Sequence, residues 1–447
     1  MREILKGAVA GAGATLALLA CLLGNPAEAT PVYSLQTVNA CDTCHIEPSG
    51  WKNPEMKDRR CTMDCSSCHV SPTGGAMRNT TGRFFAREKL PMFGTRPTKG
   101  EDLAAKYLPE GHPTEGRYRL GEGFSGWWPG EKPMEDVPDR YGFLKPDPKL
   151  AFGLDFRFMV YAPLGADLKA FPMQYDMYLS YRPLYNLVLY GSGGLMGRQA
   201  NDLTDKGDKV ISAAAREVFA KVDRLPYNSY VLAGRFNLPY GWRLPDHTAY
   251  IRRNLGLDQN RQVFGVMAGT NPNYPFVHAA LFTQGADWWP GDTGEDGFGA
   301  AVSGGVRELG WHLAGSAMAY RRRDGFDDIQ FGPQWGLNLY PVAYLGEVDF
   351  RRQTDPAVSK EGFFAYHEVD WRLVEPLVLK AKYEWMDDDL ELKDNHLNRL
   401  GAGVEWHPYT YTHVEAQYRA TFTGGGVALA GSEFTGNEIL VMLHGHL

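Results

Sequence analysis

The chain has 447 residues, enough for one large domain or two to three ordinary ones, and 44% of them are hydrophobic and 13% aromatic. Its mean hydropathy of −0.35 excludes a bundle of membrane helices. The formal net charge of −7 is mild, and no basic block points to nucleic acid as a partner.

The first segment reads as an export signal over residues 1–29. Arg2 and Lys6 make a positive start, Gly7 to Leu23 is an apolar run, and Ala27-Glu28-Ala29 offers a small-x-small cleavage site. Leu18-Leu19-Ala20 before Cys21 would suit a lipoprotein signal, but the apolar run continues through Leu22 and Leu23 past that cysteine. A retained membrane helix would need a longer run.

Of the six cysteines, the five beyond Cys21 are Cys41, Cys44, Cys61, Cys65 and Cys68, and none follows Cys68. Disulfides that hold a secreted fold together are spread along the chain, so this clustering points to a cofactor. Two runs have the form Cys-x-x-Cys-His: Cys41-Asp42-Thr43-Cys44-His45 and Cys65-Ser66-Ser67-Cys68-His69. In such a run the two thiols add across the vinyl groups of a haem, and the adjacent imidazole binds the iron from one side. The expectation is two c-type haems, attached through Cys41, Cys44, Cys65 and Cys68, with His45 and His69 as the proximal iron ligands. A zinc ribbon is the rival, because Cys44 to Cys65 lies near the upper end of zinc spacings, but zinc gives no reason for a His directly after each second cysteine. The opposite iron ligands are open: His112, Met56, Met63, Met77 and Met92 are available in the N-terminal third. The methionines also suit packing against haem edges. Cys61 is left as an odd thiol.

Residues 30–94 thus form a dihaem cytochrome c segment. Residues 95–148, rich in Pro, Gly and charge, read as a linker or plug. From 149 to 447 the pattern has period two. Leu150, Phe152, Leu154, Phe156, Phe158 and Val160 alternate with Ala151, Gly153, Asp155, Arg157 and Met159. Leu377, Leu379, Ala381, Tyr383 and Trp385 alternate with Val378, Lys380, Lys382 and Glu384. About sixteen such segments follow one another, with charged side chains gathered on one face. Tight turns, such as Arg182-Pro183, Tyr340-Pro341 and His407–Thr410, alternate with longer polar loops. Those loops include Asn237–Arg261, Arg321–Asp328, Arg352–Gly362 and Met386–Asn395. The fold class expected is all-β: an antiparallel transmembrane barrel of about sixteen strands, with its short turns at the periplasmic end. A soluble β-sandwich would not need strands this long or a polar face running through all of them.

On this parity His312, His413, His444 and His446 point inward near the periplasmic end. They are either additional ligands to haem iron or ordinary wet lumen residues. Arg243, Asp246, His247, Arg252 and Arg253 crowd one long loop, which is either an arginine-lined constriction folded into the lumen or, equally well, ordinary surface charge. Asp387, Asp388 and Asp389 open an outer loop, as a hard-cation site or as solvated acid. No nucleophile–base constellation or phosphate loop appears, so an electron-transfer protein fits better than an enzyme.

A short haem segment followed by a porin-like barrel resembles the fused outer-membrane cytochrome–porins of iron-oxidising bacteria. The resemblance is one of architecture over the mature chain, and its specific motifs are Cys41–His45 and Cys65–His69. It implies outer-membrane location and single-electron transfer across that membrane, inward from Fe(II) or outward to an extracellular acceptor. Periplasmic redox carriers and outer-membrane lipid are the partners implied, and the haem segment would lie in the lumen or at its periplasmic mouth. Two other readings stand beside it: a solute porin gated by a haem-bearing plug, and a periplasmic electron carrier anchored by a barrel.

Overall fold

The alternating segments form strands, and the strands close on one another. In a computed structural model of the protein, the described residues are 65–79, 82–83, 86, 90–93 and 149–447, apart from 166, 185, 198–210, 226, 228, 247, 259–260, 272–273, 285–296, 309, 357–358, 375 and 424–435. Sixteen strands follow in order: β1 (Leu150–Pro163), β2 (Lys169–Leu184), β3 (Leu187–Gly197), β4 (Ile211–Leu225), β5 (Ser229–Phe236), β6 (Val263–Thr270), β7 (Pro275–Gln284), β8 (Gly297–Arg307), β9 (Trp311–Arg322), β10 (Asp327–Leu339), β11 (Val342–Thr354), β12 (Ser359–Val374), β13 (Leu377–Asp387), β14 (Leu397–Trp406), β15 (Thr412–Thr423) and β16 (Gly436–His446). Each pairs antiparallel with its sequence neighbours, and β1 pairs with β16 to shut the barrel. The seam runs from Asp155 opposite His446 to Pro163 opposite Glu438, and Leu154 and Leu447 exchange both backbone bonds at 2.9 and 3.2 Å.

The polarity is inverted relative to a soluble sheet. Phe152, Met177 and Phe298 are 62%, 65% and 61% exposed, whereas Asp155, Asp176, Glu217, Lys382 and Arg399 are buried. An exposed apolar belt needs hydrocarbon around it, and an inward charged face needs partners or water. Among the described residues no helix is long and apolar enough to cross a membrane.

Two connections are shorter than their sequence suggests. The β9–β10 and β11–β12 links shrink to 323–326 and 355–358, because the strands continue into the segments expected to be loops. Arg321 reaches across to Asp327 at 2.6 Å, Arg322 N–H bonds Phe326 O at 2.8 Å, and Gly325 takes φ +93°, a left-handed value that tightens the turn. On the other side, β2 continues through Arg182-Pro183 to Leu184. A bulge there accommodates the proline, which has no N–H for the ladder, and Arg182 pairs with Asp223 at 2.9 Å.

The apolar core lies inside the barrel. Residues 237–262 leave β5, fold inward around the short helix α1 (Tyr250–Arg253) and return to β6. Trp242, Ile251 and Leu255 from this loop pack with Phe236, Phe364 and Tyr366 of the wall and with Met77 of the N-terminal segment.

Val302, at the middle of β8, is 44% exposed on the outer belt. Val302→Arg is expected to destabilise the barrel in lipid by about 2–4 kcal/mol, while Val302→Leu is neutral. Urea unfolding in vesicles checks this, and equal stability of the two variants would remove the lipid-facing assignment.

Candidate functional site

Charged side chains on the inner wall hold the inward loop by hydrogen bonds and ion pairs. Trp242 donates its backbone N–H to Glu347 Oε2 at 2.6 Å and its indole N–H to Gly346 O at 3.0 Å, and Tyr240 donates its hydroxyl to Asp349 Oδ1 at 2.7 Å. Asp246 accepts from Thr248 N at 3.0 Å and Oγ1 at 2.7 Å, and it also receives Arg419 at 2.5 Å and Lys382 at 3.4 Å. Burial alone would raise the Asp246 carboxyl, but the charges of Arg419, Lys382 and Arg399 outweigh it and hold the group well below the usual range. This loop therefore does fold into the lumen. Its arginines tie structure together: Arg252 donates to Tyr240 O at 2.9 Å and Leu257 O at 2.6 Å, and Arg243 reaches the N-terminal segment.

That segment is organised around Cys65. A 3-10 turn over Cys65–Ser67 brings Cys68 N and His69 N to Cys65 O at 3.2 and 2.9 Å. His69 then bridges Arg78, Val70 N–H bonds Met77 O at 3.1 Å, and Asn79 donates to Ser66 O at 2.9 Å. Both thiols and the imidazole are thus carried on one tight turn. Gly74, at φ +81°, closes it: a Cβ there would stand 3.2 Å from Cys65 Cβ and 3.3 Å from its Sγ.

The turn is docked on the inner wall. Lys221 donates to Val70 O at 2.7 Å, Ser71 to Glu217 at 3.3 Å, and Arg243 to Thr73 at 3.0 Å, with Glu217 3.5 Å from the same guanidinium. Met77 is fully buried beside Gly153 and Tyr178. Further along, Met92 N and Phe93 N bond His407 O and Pro408 O, both at 2.8 Å, on the β14–β15 turn. The described residues of the segment therefore lie against the inner wall and, at 92–93, against the β14–β15 turn. Burial, followed by the charges of Arg78 and Arg243, pushes the His69 imidazole down to about 3, which leaves the ring neutral.

Cys65, Cys68 and His69 open onto a cavity of about 300 Å³ whose other walls include His312, His444 and His446. His312 stacks on Phe276 and lies 4.7 Å from the Trp242 ring. His413, on the same cavity, places Nε2 3.4 Å from His444 Nδ1, and His444 Nε2 lies 3.0 Å from Asp155 Oδ2. The four barrel histidines expected to point inward are thus gathered around one space with the second Cys-x-x-Cys-His run. Cys41, Cys44, His45, His112, Cys61, Met56, Met63 and His247 lie outside the described residues. Met77 is buried in the core, and Met92, partly exposed, accepts the Trp406 indole N–H at 3.3 Å. Asp388 pairs with Lys360, and Asp387 accepts from Asp389 N at 3.2 Å, so this acidic run is tied to its own strands.

Asp155 and His407 also belong to the site, and sequence reading passed over both as site residues. The inward parity of β1 was a signal for Asp155. His407 sits in a turn, where parity says nothing; its Nε2 lies 2.8 Å from Glu405.

No protein-family model matches the chain, and no curated protein matches it in sequence. Solved structures do match. The in-vitro folded, trimer form of OmpT, an outer membrane protein of Vibrio cholerae, superposes with a TM-score of 0.52 at 12% identity, covering 67% of this chain and 99% of that one. The loop L8 deletion mutant of OmpT gives 0.53 at 11% identity over the same shares. An anion-selective porin from Comamonas acidovorans gives 0.50 at 10% identity, again over 67% and 99%. The likeness is one of fold: the chain is an all-β, closed 16-stranded antiparallel barrel of the porin-like, outer-membrane type.

Asp246→Asn is expected to cost about 3 kcal/mol, the low end for stranding buried charge. Glu368 and Glu438 stay near Lys382 and Arg419 at 4.0 and 3.7 Å and soften the loss. The stabilisation from Asp246 is complete above its ordinary pKa of 3.8 and is lost as pH falls toward the depressed folded value. Thermal unfolding of both proteins at neutral and acid pH checks this, the gap between them being expected to narrow in acid.

Proposed function

We propose that the chain is a dihaem c-type cytochrome fused to a porin-like barrel, and that it passes single electrons across the outer membrane. The observation that carries this reading is the position of the Cys65–His69 turn, which faces the lumen cavity opposite the histidines of the wall. A haem held there supplies one-electron exchange at a potential set by its ligands and surroundings. The residues fit such a group: two thiols and a neutral imidazole stand on one turn, and Gly74 keeps the space beside Cys65 open. Cys41, Cys44 and His45 would hold the second haem, and the opposite iron ligands would come from His112 or from the cavity imidazoles, His312 among them.

The bilayer core is an insulator, so a route through it needs cofactors inside a protein sheath. The barrel is such a sheath, and the ion pairs from Lys221, Glu217 and Arg243 fix the turn to its wall. Periplasmic redox carriers would exchange electrons at the short-turn end, and an extracellular donor such as Fe(II), or an extracellular acceptor, at the other. A second reading is favoured by the cavity left in the lumen and by the likeness to porins: a solute pore that the N-terminal segment gates.

Purified protein in liposomes loaded with a redox dye separates the two. With a membrane-impermeant reductant outside, the dye is expected to respond in the wild type and to stay silent in a Cys41→Ala/Cys44→Ala/Cys65→Ala/Cys68→Ala variant. A dye that stays silent while the haems are reduced would reject the conduit, and solute flux would then support the pore.

A further inference from the structure

Three histidines on the inner wall have the arrangement of a metal site. His413 on β15 stands opposite His444 on β16 in the strand register, and His446, two residues on, shares the face of His444. One ring nitrogen from each lies within 4.8 Å of the other two. His413 Nε2 and His444 Nδ1 are 3.4 Å apart. Two imidazoles on one tetrahedral ion, with bonds of about 2.0–2.1 Å, hold their nitrogens about 3.3–3.4 Å apart.

The surroundings point the same way. His444 has its other nitrogen 3.0 Å from Asp155 Oδ2, a carboxylate placed where one could orient a metal-binding imidazole. His446 is 6% exposed, and neither of its ring nitrogens has a hydrogen-bond partner among the described residues. Burying such a ring without partners is costly. A hydrogen bond between His413 and His444 would satisfy one contact and leave His446 unexplained, whereas an ion among the three would take one nitrogen from each ring, that of His446 included. Arg78, Arg157 and Lys380 place positive charge near this wall, and Asp155, Glu405 and Glu415 face the same cavity with negative charge.

We propose that His413, His444 and His446 bind a first-row divalent cation of the Zn2+ and Cu2+ class. Three nitrogen donors suit such borderline ions and not Mg2+ or Ca2+, which take oxygen. Three protein ligands leave a coordination position open to the cavity. The ion would cross-link β15 to β16 beside the β1–β16 seam. An ion held by these three rings excludes their use as haem-iron ligands, and since none of them belongs to a Cys-x-x-Cys-His run the site can be tested in protein that carries no haem.

The test uses untagged full-length protein, stripped with chelator, exposed to Zn2+ alone and passed through a desalting column before elemental analysis. One zinc per chain is expected in the wild type and equally in the quadruple Cys→Ala variant, so that loss of haem and loss of metal are read separately. His446→Ala and His413→Ala should lose the zinc, Asp155→Asn should bind it about 10–100-fold more weakly, and His312→Ala should keep it. Heat-modifiable migration confirms that each variant is a closed barrel. No stoichiometric zinc in the wild type, or zinc retained by both His446→Ala and His413→Ala, overturns the proposal. So does a shift of the haem absorption bands in His446→Ala with no zinc bound by the wild type, which would make the ring an iron ligand instead.

Discussion

Backbone amides inside hydrocarbon have no water to bond, and everything else in this protein follows from satisfying them. An open sheet would leave two edges unpaired, each N–H and C=O costing several kcal/mol. β1 therefore meets β16, and the ladder is continued past the strand ends by the exchange between Leu154 and Leu447. Closure fixes which face looks outward, and so it fixes the inversion of polarity, with Phe152 and Phe298 outside and Asp155 and Arg399 inside.

An interior lined by charge is held in order by pairing. Arg399 takes Glu384 through two nitrogens at 2.7–2.8 Å, and Asp246 brings Lys382 and Arg419 to the loop. Buried ion pairs of this kind are weak contributors to net stability, since desolvation offsets most of the attraction. Their effect is on position: a displaced loop would strand several charges at once. Arg243 has this role three ways, touching the N-terminal segment at Thr73, the wall at Glu217 and, through the chain it belongs to, the inward loop.

The barrel was legible because period two survives in almost every strand. Leu377 to Trp385 and their polar alternates fall on the faces their spacing dictates. Loop length was less legible. Arg321 and Asp327 look like two more charged loop residues until the register sets them opposite each other. The Cys65–His69 run forms one tight local turn, which its short spacing suggests without any knowledge of the fold. The convergence of His413, His444 and Asp155 was not readable, because it depends on the registers of β15 with β16 and of β16 with β1, joining residues from opposite ends of the barrel sequence. Parity showed that His413 and His444 face inward; it could not show that they touch.

Residues 65–79 precede every described strand in the chain, yet they are held against the inner face of the wall those strands form. The space inside that wall is shut only where β16 joins β1, the pairing of longest sequence separation in the sheet. Chain order and spatial order are therefore opposed: the contents are synthesised before the container. Lys221, Glu217 and Asp155, which grip or flank the segment, lie on early strands, so a half-built sheet already offers it a seat.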